Sequence, residues 1–205
     1  MISKWLEDLE KDNLKNPTDR HSDFIDKLAE WIYKNYSNGA VGYLNFICTH
    51  NSRRSQFAQT MSEIVQAWMG IKYAESFSGG TEVTACNQRT IEALKRIGLS
   101  VSVDGESNPV YTITNSKLDF KIDLWSKLYD DDKNPTKQFA AIMTCDHADE
   151  NCPFIPGAKI RIPLTYVDPK YADDTDEELA AYDHTCKIIA TDMIRLFRKV
   201  QYLDK

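Results

Sequence analysis

Long hydrophobic runs are absent from this sequence. No stretch of its 205 residues approaches the roughly 20 apolar residues that a membrane-spanning helix needs. The first residues, MISKWLEDLEKDN, are charged from Lys4 onward and lack the apolar segment of a secretory signal peptide. We therefore expect a cytoplasmic protein with no membrane partner.

An excess of positive charge is absent as well. The chain carries 25 Lys and Arg against 31 Asp and Glu, which gives a formal net charge of −6. Contacts to nucleic-acid phosphates need clustered Lys and Arg, so nucleic acid is not an expected partner. Internal repeats and low-complexity tracts are also lacking, and the length suits one compact domain with additions.

Five cysteines are present, and cytoplasmic thiols are kept reduced. Structural disulfides are therefore not expected, and the odd count agrees with this interpretation. We expect core residues, metal ligands or redox-active groups instead. The five are Cys48, Cys86, Cys145, Cys152 and Cys186.

Alternating strand-like and helical patterns predict an α/β fold. The segments VGYLNFI at 41–47 and KYAESFS at 72–78 are typical of strands, and a helical pattern follows each. Asn87 is the expected N-cap of the second helix. FAAIMT at 139–144 and KIRIPL at 159–164 predict two more strands. This alternation favours a central parallel sheet with helices on both faces.

A long helix is predicted at the C-terminal end. It carries a seven-residue apolar stripe with helical spacing, which should face the core. Because Cys186 lies within this stripe, we expect it to be a core residue without a chemical role. The stripe consists of Leu179, Tyr182, Cys186, Ile189, Met193, Leu196 and Val200.

Two segments are predicted to be additions to this fold. Residues 1–39 have the pattern of two polar helices separated at Asn16-Pro17, and we assign them to a helical N-terminal extension. Residues 40–205 would form the main domain. Within that domain, VYTIT and FKIDLWS alternate like strands on either side of Asn115, so about residues 100–138 predict an inserted β-hairpin.

The segment ICTHNSRRSQFAQ at 47–59 contains the main candidate site. It places Cys48 six residues before Arg54, between a predicted strand and a predicted helix. A loop in that position points backbone N–H groups inward, and the helix dipole adds positive charge, so the loop suits a tetrahedral oxyanion. The same field favours the thiolate of Cys48, to which Ser55 could donate its hydroxyl.

The guanidinium of Arg54 would donate to two oxygens of such an anion. The spacing alone also allows a second interpretation, in which Cys48 is an inert buried thiol and the two arginines are solvated surface charges. The candidate oxyanion-binding residues are Thr49, His50, Asn51, Ser52, Arg53 and Arg54.

The segment CTHNSRRSQ at 48–56 resembles the signature loop of the low-molecular-weight protein tyrosine phosphatases and of the arsenate reductases built on the same fold. The segments SGG at 78–80, NQRTIEALKRIG at 87–98 and VDP at 167–169 follow in the family's order. The resemblance covers about residues 41–99 and 139–200 and implies a three-layer α/β/α architecture.

By this resemblance, Cys48 would be the catalytic nucleophile, Asn51 would hold the shape of the loop, and Arg54 would bind the oxyanion. Ser55 would stabilise the thiolate, and Asp168 would be the general acid. Without the family, an aspartate before proline is typical of a turn, so the role of Asp168 depends mainly on the resemblance.

One departure from the family's pattern is His50, which stands where glycine is usual. A larger residue there could narrow the pocket or require a different backbone angle.

A second cysteine pair distinguishes between branches of the family. TCDHADENCPFIPG at 144–157 places Cys145 and Cys152 seven residues apart, just after a predicted strand. A phosphatase needs one nucleophilic thiol, whereas a thiol-coupled oxyanion reductase needs further thiols to accept the oxidising equivalents. The pair resembles the resolving cysteines of thioredoxin-linked arsenate reductases.

That resemblance implies a relay of three catalytic cysteines. Cys48 would attack arsenate, Cys145 would attack the sulfur of the adduct and release arsenite, and Cys152 would resolve the resulting disulfide. A thioredoxin-like partner would then supply reducing equivalents. Seven residues of regular helix span about 10 Å, and disulfide Cα atoms lie within about 7 Å. We therefore expect the 145–152 segment to rearrange when it oxidises.

Several alternatives remain at this point. The chain could be a phosphatase acting on phosphotyrosine or small phosphate esters through a phosphocysteine, or a non-catalytic oxyanion-binding redox switch. The pair at 145 and 152 could also be ordinary cysteines. A zinc site formed by these cysteines with His50 or His147 matches none of the common ligand spacings, so no metal and no tightly bound cofactor are expected.

Overall fold

The computed structural model describes residues 1–152 and 154–205. Seven strands and six α-helices make up most of this part of the chain. In chain order these are α1 Ile2–Lys15, α2 Ser22–Ser37, β1 Gly42–Cys48, α3 Arg54–Met69, β2 Ala74–Gly80, α4 Gln88–Arg96, β3 Ser100–Asp104, β4 Val110–Asn115, β5 Phe120–Leu124, β6 Phe139–Met143, α5 Asp146–Asn151, β7 Ala158–Pro163 and α6 Glu178–Leu203, with a 3₁₀ helix at Pro169–Ala172 before α6.

The four predicted strands form a parallel sheet in the order β2-β1-β6-β7. Strand β1 is central, with Cys48 opposite Gly80 in β2 and Ile47 opposite Met143 in β6. Every residue of β6 is buried, as expected for a parallel strand covered on both faces. The carboxyl ends of these strands therefore meet at one edge of the sheet.

Side chains of the sheet alternate between two hydrophobic clusters, which places one cluster on each face. Phe46 and Ile142 belong to the larger cluster, together with residues of α1, α2, α3, α4 and α6. Ile47 and Met143 belong to the smaller cluster, which includes Ala148 of α5. The predicted three-layer α/β/α fold is confirmed, although the two faces are covered by very different amounts of helix.

The N-terminal helices lie against the main helical layer. Leu6 of α1 and Leu28 and Ile32 of α2 are fully buried in the larger cluster, and both helices contact α6. The break between them falls at Asn16-Pro17 as predicted. Residues 1–39 therefore contribute apolar surface to the same core as the sheet.

The insertion contains the predicted hairpin, formed by β4 and β5, and one additional strand. Strand β3 pairs antiparallel with β4, so the insertion is a three-stranded sheet. The alternation of serine and valine at 100–103 was the available signal for β3. It is a weak one, because Val103 is 61% exposed and buries little apolar surface.

Six of the seven residues in the C-terminal stripe are fully buried, and Cys186 lies in the core as predicted. Burial raises the pKa of its thiol well above the usual range. Leu179 contradicts the prediction because it lies in the first turn of α6, outside the core, and is 59% exposed. None of the helices in the described residues is both long and apolar enough to cross a bilayer.

Residues 125–129, which we call the strap, belong to the insertion and run along the end of β2. The N–H of Gly80 donates to the carbonyl of Lys127 at 2.8 Å, and the N–H of Tyr129 donates to the carbonyl of Gly80 at 2.9 Å. A Cβ at Gly79 would lie 2.2 Å from the Cα of Tyr129. Gly79 is therefore needed for the close approach of the strap, whereas a Cβ at Gly80 would meet the carbonyl of Thr49 in the loop after β1.

Candidate active site

Residues 48–55, which we call the thiol loop, connect the carboxyl end of β1 to the start of α3. Five consecutive carbonyls, from Cys48 to Ser52, accept hydrogen bonds from groups around the loop. In a trans peptide the N–H points opposite to the carbonyl, so the following N–H groups face the interior of the loop. This arrangement, at a helix N-terminus, can hold a tetrahedral anion.

Cys48 lies at the base of this loop and is 4% exposed. Its Sγ is 3.1 Å from the Oγ of Ser55. The Nδ2 of Asn51 donates to the same Oγ at 2.9 Å, which leaves the hydroxyl proton of Ser55 free to point at the sulfur. A thiolate at Cys48 would thus receive a directed hydrogen bond.

Asn51 is the residue of the loop with a positive φ, at 46°. Its Oδ1 accepts the backbone N–H of Lys127 at 3.0 Å, and its carbonyl accepts the Nε2 of Gln56 at 2.8 Å. Asparagine tolerates the left-handed conformation better than most residues do. These contacts tie Asn51 to the strap and to α3, and its role in holding the shape of the loop stays a prediction.

The strap supports the thiol loop from a region that the sequence analysis did not connect with it. The Oγ of Ser126 donates to the carbonyl of His50 at 2.9 Å, and Gln56 donates to the carbonyl of Trp125 at 2.9 Å. Lys127 is buried, its Nζ is 4.0 Å from the ring centroid of Trp125, and burial lowers its pKa to about 8. No local pattern predicts the bonds of Ser126 to His50 and of Gln56 to Trp125, whose partners are 76 and 69 residues apart.

Arg53 and Arg54 both bind Asp168, which follows β7 in the chain. The Nε of Arg53 donates to Oδ1 at 2.8 Å, and the Nη2 of Arg54 donates to Oδ2 at 2.7 Å. The Nη1 of Arg54 donates to the carbonyl of Tyr166 at 2.9 Å. Its Nε is buried and, within the described residues, lacks an acceptor. An oxyanion in the loop could provide one.

Opposing effects act on the pKa of Asp168. Burial alone would raise it, but the charges of Arg54 and Arg53, together with the hydrogen bond from Arg53, hold it below the ordinary value. The carboxylate also accepts the backbone N–H of Lys170 at 3.1 Å and caps the 3₁₀ helix. Asp168 is therefore ionised at neutral pH, so it could act as an acid only after an anion competes for these arginines.

The side chains of Ser52 and His50 contact residues outside the thiol loop. The Oγ of Ser52 donates to the carbonyl of Ala85 at 2.7 Å, and the imidazole of His50 lies 3.3 Å from a carboxylate oxygen of Glu82. His50 stands where the family usually has glycine. It is not among the residues with positive φ, so a side chain at this position does not strain the backbone.

The candidate resolving cysteines lie at the two ends of α5, close to the thiol loop. Cys145 is 1% exposed and caps the start of α5, with its Sγ accepting the N–H of Ala148 at 3.4 Å. The Oγ1 of Thr49 is 3.6 Å from this Sγ. Cys152 ends the helix and packs against the smaller hydrophobic cluster, which also contains Cys48. The structure thus brings all three cysteines to one side of the sheet.

All five cysteines are free. Of the two remaining thiols, Cys186 lies in the core, whereas Cys86 lies near the thiol loop, because its neighbours Ala85 and Asn87 both bond to Ser52. Cys86 is buried, which raises its pKa to about 12. Within residues 1–152 and 154–205, no group of three or more His, Cys, Asp or Glu side chains is placed to hold a metal ion.

Comparison with known proteins agrees with this geometry. Residues 43–204 match the model of the low molecular weight phosphotyrosine protein phosphatase family. An arsenate reductase of Halalkalibacterium halodurans is 30% identical over 133 residues, which cover 65% of this chain and 78% of that protein. Arsenate reductase 2 of Staphylococcus haemolyticus is 32% identical over 112 residues, which cover 54% of this chain and 66% of that protein.

Among solved structures, a low molecular weight phosphotyrosine phosphatase from Vibrio cholerae aligns with a TM-score of 0.53 and 13% identity. The alignment covers 80% of this chain and 99% of that one, and it shows a shared fold. The family match spans the thiol loop, the 145–152 pair and Asp168. The chain belongs to the low molecular weight phosphotyrosine protein phosphatase family.

Proposed function

We propose that this protein reduces arsenate to arsenite through a relay of Cys48, Cys145 and Cys152. The observation that carries the proposal is the 3.6 Å contact between the Sγ of Cys145 and the Oγ1 of Thr49, the residue after the nucleophile. A second thiol at the rim of the anion loop has no use in phosphate-ester hydrolysis, but it is what a reductase requires. The arsenate reductase names of the relatives support the same activity.

In the first step, the thiolate of Cys48 attacks the arsenic of arsenate bound to the loop amides and Arg54. A sulfur–arsenic bond forms, and one oxygen leaves as water after it takes up a proton. The Nη2 of Arg54 would pass from Asp168 to the anion while its Nη1 stays on the carbonyl of Tyr166, and Asp168 would then be able to carry that proton. Arsenic is still in oxidation state five in this adduct.

In the second step, the thiolate of Cys145 attacks the sulfur of Cys48. A Cys48–Cys145 disulfide forms, the electron pair of the sulfur–arsenic bond moves to arsenic, and arsenite leaves. Cys152 then attacks the sulfur of Cys145, which restores the Cys48 thiolate and leaves a Cys145–Cys152 disulfide. Because α5 separates these two cysteines, the helix must unwind for the bond to form.

An external dithiol of the thioredoxin type would close the cycle by reducing the Cys145–Cys152 disulfide. Cys152 is partly exposed, whereas Cys48 and Cys145 are buried. The relay would therefore transfer the disulfide from a buried position to one that a protein reductant can reach.

One observation favours a second candidate, hydrolysis of phosphate monoesters. Asp168 lies over the loop within 2.7 Å of Arg54, where a general acid could protonate the leaving oxygen of an ester. Cys48 would form a phosphocysteine, and water would then release phosphate. This reaction makes no use of Cys145 or Cys152.

The two candidates are separated by Cys145→Ser and Cys152→Ser, with Cys186→Ala as the matched control. Cys186 is also a free cysteine, but it lies in the core of α6. Arsenate turnover would be followed as arsenate-dependent oxidation of thioredoxin, and phosphatase turnover as hydrolysis of an aryl phosphate. We expect both serine variants to lose arsenate turnover and the control to keep it.

Mass spectrometry without reductant should then find the Cys145–Cys152 disulfide in the wild type after arsenate turnover. Arsenate turnover that survives in both serine variants would contradict the relay. Aryl phosphate hydrolysis in the absence of any arsenate turnover would identify a phosphatase. Anion binding and disulfide formation without turnover of either substrate would indicate a redox switch.

A further inference from the structure

A buried polar network joins the start of α2 to α6. The side chain of Asp192 is only 2% exposed, and its carboxylate accepts hydrogen bonds from three residues. These are the Nδ1 of His21 at 2.9 Å, the Nη1 of Arg195 at 3.1 Å and the hydroxyl of Tyr166 at 3.2 Å. Since a buried carboxylate is costly unless it is fully paired, each donor contributes to a fixed arrangement.

The chain between α1 and α2 is held tightly at this point. The Nη2 of Arg195 donates to the Oγ of Ser22 at 2.7 Å, and its Nη1 donates to the carbonyl of Arg20 at 2.6 Å. Arg20 in turn donates to the carbonyl of Thr165 at 3.1 Å, and its guanidinium lies 5.1 Å from the ring centroid of Tyr166. Residues 20–22 thus contact the segment that leads to Asp168.

His21 itself has a left-handed backbone, with φ at 57°. This conformation is unfavourable for a residue other than glycine, and the surrounding contacts must compensate for it. Its ring packs edge-on against Tyr166, with centroids 5.4 Å apart. His21 therefore touches Tyr166 directly and also reaches it through Asp192.

Tyr166 connects this network to the anion site. Its carbonyl accepts the Nη1 of Arg54 at 2.9 Å, and its N–H donates to the carbonyl of Thr144 at 3.2 Å. Asp168 follows two residues later. Burial, and then the charge of Asp192, raise the pKa of the Tyr166 phenol well above its usual range, so it remains a donor at any physiological pH.

We propose that His21 is a positioning residue of the anion site: through Asp192 and Tyr166 it holds Arg54 in the orientation that binds an oxyanion. Residues 1–39, which lie outside the family match, thereby support the site. The inference rests on the proposed function, because it assigns Arg54 to oxyanion binding. It adds a role for a segment that neither the arsenate reductase nor the phosphatase chemistry requires.

The test uses the full chain and inorganic phosphate as the probe. The rate of alkylation of Cys48 by iodoacetamide, followed by mass spectrometry of its peptide, falls as phosphate fills the loop and so gives a dissociation constant for phosphate. We expect His21→Ala to weaken phosphate binding about tenfold, the size of losing one hydrogen bond to a charged group. Alkylation without phosphate should stay within about twofold of wild type, since the partners of Cys48 are untouched.

Three further variants define the cause. His21→Gln keeps a side-chain N–H that can donate to Asp192 and should recover most of the phosphate affinity. His184→Ala removes an exposed imidazole from the same helix as Asp192 and should leave the affinity unchanged. Tyr166→Phe removes the hydroxyl but keeps the carbonyl that binds Arg54, so it should weaken phosphate binding by a smaller factor, about threefold.

Wild-type phosphate affinity in His21→Ala and Tyr166→Phe would overturn the inference. A loss in His21→Ala that is matched by an equal loss of phosphate-free alkylation would also overturn it, because it would indicate general damage to the fold. His21→Gln as weak as His21→Ala would exclude the hydrogen bond to Asp192 as the cause. If phosphate or arsenate fails to protect Cys48 in the wild type, the proposed function fails first, and this inference fails with it.

Discussion

At one edge of the sheet, Cys48 lies in the thiol loop, and Cys145 and Cys152 flank helix α5. The loop and the helix are held in place in different ways. In the thiol loop, five consecutive carbonyls are bonded to surrounding groups, and Asn51 and Ser55 are fully buried. Helix α5 has six residues, of which only Ala148 is buried. Its C-terminal end is attached to β7, where Arg161 donates to the carbonyls of Asp149 and Cys152.

This difference suits the two parts of the proposed relay. The nucleophile and the anion need fixed donors, because preorganised N–H groups stabilise charge without reorganising. The resolving pair needs an element that can open, and a short helix with one buried side chain has a low cost of local unfolding. We therefore expect substitutions in the loop to affect stability strongly and those in α5 to affect mainly oxidation kinetics.

The largest difference in stability should be between the alanine substitutions of Asn51, in the thiol loop, and Asn151, in α5. Asn51→Ala puts alanine at a φ of 46°, which costs about 1–2 kcal/mol, and leaves the buried N–H of Lys127 without its acceptor, which costs about 1–3 kcal/mol. Urea denaturation should show a loss of about 3 kcal/mol in the free energy of unfolding.

Asn151→Ala is the control on α5, where the Nδ2 donates to the carbonyl of His147 at an exposed site. Its effect should be below about 0.5 kcal/mol. Equal effects of the two substitutions would remove the distinction between a rigid loop and a loosely held helix.

A second, smaller difference should depend on pH. Because the pKa of Asp168 is lower in the folded protein than its ordinary value of 3.8, the paired carboxylate stabilises the fold above that pH. The contribution is lost as the pH falls through the folded pKa. Asp168→Asn should therefore cost about 1.5 kcal/mol at pH 7, and the difference from wild type should shrink below pH 3.8.

Urea midpoints measured at a series of pH values would check this dependence. The control is Asp146→Asn in the first turn of α5, an exposed carboxylate whose removal should cost a few tenths of a kcal/mol. A difference between wild type and Asp168→Asn that stays constant into strong acid would contradict the ion pair with Arg53 and Arg54.

Arg161→Ala should have the smallest effect on stability but a clear effect on the rate at which the Cys145–Cys152 disulfide forms. This change removes the donor to two carbonyls at the end of α5, so the helix should open more often. Formation of the Cys145–Cys152 disulfide with diamide should become about fivefold faster, measured by mass spectrometry of quenched samples. Lys159→Ala, an exposed residue of β7, should leave the rate unchanged. No acceleration in Arg161→Ala would mean that Arg161 does not restrain α5.

The elements of the parallel sheet could be predicted because each has a local signal. The apolar runs that became β1 and β6 end within one residue of their predicted limits, and the side chain of Asn87 caps α4 as expected. Strand β3 was not predicted because its alternation is a weak signal, with Val103 exposed. The burial of Leu179 was predicted wrongly, because helical spacing does not show that the first turn of α6 lies outside the core.

In the candidate site, too, some features could be predicted from the sequence and others could not. Cys48, Ser55 and Arg54 lie within one loop, so an anion site could be predicted from their spacing, the strand before them and the family resemblance. The strap could not be predicted. Two of its bonds to the loop and to α3 use the backbone of Lys127 and Trp125, and backbone groups are the same in every sequence; the third comes from the hydroxyl of Ser126, a group too common to give a signal.

The sequence by itself determined the order of the parallel strands and their main helices and the loop that carries Cys48, because hydrophobic periodicity and turn residues act over a few positions. Only the tertiary structure decided that Asp168 binds both arginines, that Cys145 lies beside Thr49, and that Asp192 binds His21. The partners in these contacts are separated by about 100 residues or more. Their polar groups meet because the packed sheet and helices bring the segments together, and such a contact leaves no pattern in the local sequence.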